Sequence, residues 1–145
     1  MGTQQLLLIV LGVVIVGIAI AIGVTLFKSN AQSSNRDQLI NDLENLAWRA
    51  QAYYRRPTTM AGGGNDFGGY YLMSIDTGND NGSYSVSATE PTSPTYVPGD
   101  TTMISGSAQT IYIIGCGKAV GNDGTDAVKA YITVNHNTQD ITILN

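Results

Sequence analysis

An α+β fold, one long N-terminal helix laid on a small antiparallel sheet, follows from three features of this sequence. Residues 6–27 read LLLIVLGVVIVGIAIAIGVTLF without a single charge. Apolar residues then recur at helical spacing up to Pro57, and after it short alternating runs are separated by Gly, Asn, Asp and Pro. The three features divide the chain into an apolar helix over 1–27, an amphipathic helix over 28–57 and a β-rich surface domain over 58–145.

The apolar run comes first in the argument because it sets the class. As a helix it spans roughly 33 Å, about the thickness of a bilayer hydrocarbon core. A helix apolar on every side needs apolar surroundings, and once it leaves lipid, other copies of itself are the natural ones. Gly17 and Ala21 are four residues apart, as are Ala19 and Gly23, a spacing that lets helix backbones approach closely. Gly12, Gly17 and Gly23 each lower helix propensity by about 1 kcal/mol relative to Ala. A signal peptide cleaved at Ala31 is the competing reading. The run is longer than a signal-peptide core, lacks a basic stretch before it, and has Lys28 where a neutral cleavage region belongs.

Lys28–Asn35 is polar and a poor helix former, since Ser and Asn side chains compete for the backbone. Ser34 with Asp37 has the form of a capping box. Leu39, Ile40, Leu43, Leu46, Ala47, Ala50, Tyr53 and Tyr54 then mark one helical face, and Pro57 stops it. A continuous or gently broken rod from Thr3 to Arg56 would be about 80 Å long, too long for the remaining residues to cover, so its first half protrudes.

Candidate strands are Tyr70–Ile75, Tyr84–Ala88, Thr101–Ser105, Gln109–Ile114, Val128–Asn135 and Asp140–Leu144. Val128, Ala130, Ile132 and Val134 alternate with Lys129, Tyr131, Thr133 and Asn135, the pattern of a strand with one covered face. Residues 136–139 make the loop of a C-terminal hairpin, and the covered face meets the amphipathic helix.

Composition argues against catalysis. Cys116 and His136 are each the only residue of their kind, which removes intramolecular disulfides, cysteine-cluster metal sites and most nucleophile–base pairs. Cys116 reads as a small core hydrophobe and His136 as a solvated loop residue. Neither a catalytic set nor a cofactor- or metal-binding motif is expected, and the chain reads as a non-enzyme. Residues 28–57 hold five basic and three acidic side chains, and residues 58–145 two basic and eight acidic. The acidic domain repels phosphate backbones, so nucleic acid is not an expected partner.

Asp76–Gly82 is rich in oxygen ligands but misses the calcium-loop spacing, with Ser87 where the closing glutamate belongs. It reads as a turn, as does Gly121–Asp126. Asn81-Gly82-Ser83 is an N-glycosylation sequon, and the Ser/Thr/Pro-rich stretch Ser83–Ser107 offers O-linked positions, among them Thr92, Ser93 and Thr95. The aromatic residues Phe27, Trp48, Tyr53 and Tyr54 on the helical segments read as packing groups.

An uncharged helix interspersed with Gly and Ala, running into an amphipathic helix and then a small antiparallel sheet, resembles the type IV pilins and pseudopilins over the whole chain. The resemblance implies a subunit of an extracellular filament at the cell surface, held in the inner membrane before assembly. It implies a homopolymer whose N-terminal helices form the core, and if Met1 is the mature start, Gln5 takes the family's fifth position. In that family the fifth residue is a glutamate that pairs with a neighbour's terminal amine. Gln5 stands there in this chain, able to accept a hydrogen bond but not to supply charge. Met1, Gln5, Gly12, Gly17, Ala21 and Gly23 are thus the expected core-assembly residues. A membrane-anchored surface adhesin or scaffold monomer and a minor pseudopilin of a secretion machine are the alternatives.

Overall fold

The computed structural model describes residues 2–92 and 101–145. One helix, α1 (Gly2–Arg55), runs unbroken for 54 residues, about 81 Å. A single 3₁₀ turn (Thr58–Met60) follows, then the strands β1 (Gly82–Ser87), β2 (Thr110–Val120), β3 (Ala127–Asn135) and β4 (Gln139–Ile143). They form one antiparallel sheet in the order β1-β2-β3-β4.

The helix does not restart at Ser34, which lies exposed in its interior. The Ser and Asn side chains of the polar stretch could have competed with the helix, but the one that matters is engaged elsewhere. The Asn35 Oδ1 accepts the backbone N–H groups of Lys118 and Ala119 at 3.0 and 3.1 Å, and its Nδ2 donates to the Asn81 carbonyl at 2.9 Å. This clasp fastens α1 to β2 and to the start of β1. Gly117 makes room for it: a Cβ there would meet the Asn35 side chain.

Above Asn35 the helix buries Leu39, Leu43, Leu46, Ala47, Ala50, Gln51 and Tyr54. The spacing of three and four keeps them on one face. They meet Ile111, Ile113, Val128, Ala130, Ile132 and Val134 of the central strands. Gly115 lets Leu39 close on the sheet, since a Cβ there would sit 3.0 Å from the leucine Cδ1. Tyr84 and Val86 from β1 and Phe67, Tyr70, Leu72 and Ile104 from the loops close the core.

Two expected strands are absent. Residues 70–75 and 101–105 form no ladder strand. They still face one another: the Gly69 N–H donates to the Ile104 carbonyl and the Ile104 N–H to the Tyr70 carbonyl, both at 2.9 Å. Regular extension is prevented at Gly69 and Gly106, whose φ angles of 82° and 79° lie in the left-handed region. β2 is longer than expected, reaching Val120 through an irregularity after Cys116.

The glycine-rich stretch after Pro57 caps the helix. Backbone N–H groups of Gly63, Gly64 and Asn65 donate to the carbonyls of Tyr53, Arg56 and Tyr54 at 2.8–2.9 Å, meeting acceptors that a helix end leaves open. The outer face of the sheet is less polar than the alternation of β3 suggested. Lys129 and Tyr131 are both buried there, and the Tyr131 hydroxyl donates to Glu90 at 2.7 Å.

Candidate assembly surface

The exposed half of α1 is the dominant feature of the molecule. Gln32 ties it to the head, its Nε2 donating to the Asn122 Oδ1 at 2.9 Å. Residues 2–31 are exposed throughout, about 45 Å of bare helix. Leu6, Val13, Ile20 and Phe27 are 64 %, 68 %, 62 % and 75 % exposed. An apolar surface of this extent is far beyond what a lone soluble domain normally presents. The segment is long and apolar enough to cross a membrane, and none of it is buried within the protein. It is a candidate membrane anchor.

Gln5, Gly12, Gly17, Ala21 and Gly23 all lie on this bare segment, and a Cβ added at Gly12, Gly17 or Gly23 would meet nothing within 4 Å. At about 100° per residue they fall into two stripes. Gln5, Gly12, Ala19 and Gly23 lie within about 20° of one line, while Gly17 and Ala21 lie on a second, about 160° around the helix. Each rod therefore offers two nearly opposite faces on which a neighbouring backbone can come close. Met1, Ser93 and Thr95 lie outside the described residues. Thr92 is exposed.

The head carries a polar anchor point that the sequence did not single out. The Asp42 Oδ2 accepts from the Tyr84 hydroxyl at 2.6 Å, the Asn81 Nδ2 at 2.8 Å and the Asn79 Nδ2 at 2.9 Å. Partial burial pushes the Asp42 carboxyl up, but these three donors outweigh it and hold it below the usual aspartate range. Burial, with the Asp42 bond added, raises the Tyr84 hydroxyl well above its ordinary value. Nearby, Arg49 pairs with Asp76 at 2.7 Å. Burial pushes Tyr70 up to about 12, with Asp76 adding to it.

These contacts explain the Asp76–Gly82 stretch as a tethered turn. The Asn79 Oδ1 accepts the N–H groups of Asn81 and Gly82, closing an Asx turn, and the Asn81 amide of the sequon is half-buried against Asp42. Residues 121–126 turn in the same manner around the Asp123 Oδ1, which accepts from Thr125 and Asp126. Among the described residues no three His, Cys, Asp or Glu side chains gather as metal ligands. Cys116 is half-buried on the outer sheet face rather than in the core, with its thiol pushed up by burial. His136 is exposed in the β3–β4 turn.

Nothing in the sequence marked Asn35, Asp42, Gly115 or Gly117, because their partners are 37 to 84 residues away or are created by the fold. Protein-family models, curated proteins and solved structures were compared with this chain, and none matches it. The surface must therefore be read from its own chemistry.

Proposed function

We propose that this chain is a pilin-like structural subunit that polymerises into an extracellular filament through bundling of its N-terminal helices. The observation that carries the reading is the bare apolar rod: 30 exposed residues of helix, uncharged over 6–27, continuous with the helix of a small head that buries none of them. In a membrane the rod is covered by lipid. Outside one, each square ångström covered by a neighbouring rod contributes about 25 cal/mol, so rods associate. The long helix on a four-stranded antiparallel sheet is compatible with the pilin-like fold that the sequence resembles.

In this reading residues 2–27 form the filament core, with Gly12, Ala19 and Gly23 of one subunit approached by one neighbour and Gly17 and Ala21 by another. Two different faces on one rod give heterologous contacts, which generate an open helical array wherever the rotation between neighbours does not close into a ring. Gln5 lies on the first stripe and offers a neutral acceptor to a neighbour's terminal amine. The subunit waits in the inner membrane until it is extracted into the growing fibre.

The test is electron microscopy of material sheared from cells bearing the protein, with mass spectrometry of the fibres. Thin fibres composed of this chain are expected, and they should disappear in Gly17→Asp and Ala21→Asp variants that still reach the membrane. Fibre assembly unaffected by either charge would sink the proposal. A chain found only as single copies in the membrane would favour the anchored surface monomer, to which the length of the apolar run also lends itself.

A further inference from the structure

A contact between heads can be read from two features of the head surface. The first is a knob. Trp48 is 62 % exposed on the side of α1 turned away from its own sheet, and Glu44 stands one turn below it, also exposed and without an ion-pair partner among the described residues. A large aromatic side chain left mostly in water on a helix contributes little to its own fold, and tryptophan is among the residues most enriched where interfaces concentrate their energy.

The second is a hole. Arg49 and Tyr53 on the helix, Arg56 just past its end, and Tyr70, Tyr71 and Met73 in the following loop line an open cleft of about 420 Å³. Tyr71 and Met73 are 47 % and 61 % exposed. Two guanidinium groups and one carboxylate, Asp76, leave the cleft with an excess positive charge, because Arg56 has no carboxylate within ion-pair distance among the described residues. Aromatic faces, a thioether and an unpaired guanidinium are the groups that hold an indole by stacking, sulfur contact and cation–π attraction. A negative group beside the indole matches the charge of the cleft.

Geometry places knob and hole where parallel rods would bring them together. Arg49 and Tyr53 lie about 100–140° around the helix from Trp48, and their mean level is only about 5 Å further along it. Carried up the rod at the same pitch, Trp48 falls on the side of Gly12 and Gly23, and the cleft turns toward the side of Gly17 and Ala21. We propose that Trp48 of one copy docks into this cleft of the adjacent copy, so that the head contact and the two small-residue stripes specify the same side-by-side neighbour. This rests on the filament reading and names its second interface, one that fixes the angle between successive subunits.

Trp48 is the only tryptophan in the chain, so its fluorescence reports the contact directly. It stands about 30 Å beyond the end of the apolar run, clear of detergent bound there. The full-length protein is compared dispersed in detergent and assembled after detergent removal. Emission should move to shorter wavelength on assembly. Trp48→Ala should keep the thermal midpoint of the dispersed protein while reducing the assembled fraction about tenfold or more. Glu44→Arg and Arg56→Glu should each weaken assembly, and the double variant should recover it. Fibres whose tryptophan emission equals that of the dispersed protein, or a Trp48→Ala variant that assembles normally, would overturn this contact and leave the filament reading standing. A wild-type protein that forms no fibres would overturn both.

Discussion

Asp42 is the residue on which the head's polar architecture most depends, since one carboxylate oxygen holds β1 and the preceding turn to the helix. Removing it in Asp42→Ala leaves Asn79, Asn81 and Tyr84 without their shared acceptor. The expected cost is roughly 1–3 kcal/mol, measured by chemical denaturation. The pH dependence has a definite sign. The Asp42 carboxyl is held below its unfolded value, so its contribution is complete above the ordinary aspartate pKa near 4 and is lost as pH falls through the lower folded value. Asp66, held down by the Ser107 hydroxyl and the Ala108 and Gly68 amides, adds to stability in the same direction. Thermal melts of wild type should lose stability as pH drops below about 4, and Asp42→Asn should show a shallower loss. A variant slope equal to that of wild type would remove Asp42 from the explanation. A second residue-level expectation concerns Gly117, where a methyl group would push the Asn35 side chain off the two amides it accepts. Gly117→Ala should cost about as much as Asn35→Ala, and the double variant no more than either, because the two changes break one clasp.

At the scale of elements, the periodic signals were the legible ones. The burial of Leu39, Leu43, Leu46, Ala47, Ala50 and Tyr54 was written in their spacing, as was the core face of β3 and the stop at Pro57. Leu43→Ala should therefore cost about 2–5 kcal/mol by opening a cavity against the sheet. Any loss below about 1 kcal/mol would mean that the helix is not packed as described. What was not legible depended on distant partners. Ser34 and Asp37 look like a helix start, yet the helix passes through them because Asn35 finds its partners in β2 rather than in its own backbone. Residues 70–75 and 101–105 have strand-like composition, but glycines at positive φ beside them allow only an irregular pairing. The two small-residue stripes on the rod were named residue by residue from the sequence. Their arrangement on nearly opposite faces needs the helix to run unbroken, which it does. The Trp48 knob was read as ordinary packing, because sequence alone does not tell which face of the amphipathic helix an aromatic at its edge will take.

The whole molecule is a rigid rod with a head that is complete without the rod's first half. Every core residue lies between Leu39 and Val134. Residues 28–145 alone should accordingly fold, stay monomeric in water without detergent, and melt cooperatively; aggregation of that fragment would show that the head depends on the apolar segment. The full chain, by contrast, has a surface that water does not tolerate and that its own head does not cover. The most direct measurement is a cryo-electron microscopy map of fibres formed by the full-length chain. Residues 2–27 should appear as packed helical density along the axis, with the four-stranded heads outside it. A map with heads at the axis and the apolar helices on the periphery, or full-length protein that stays dispersed in water, would contradict the bundling of rods.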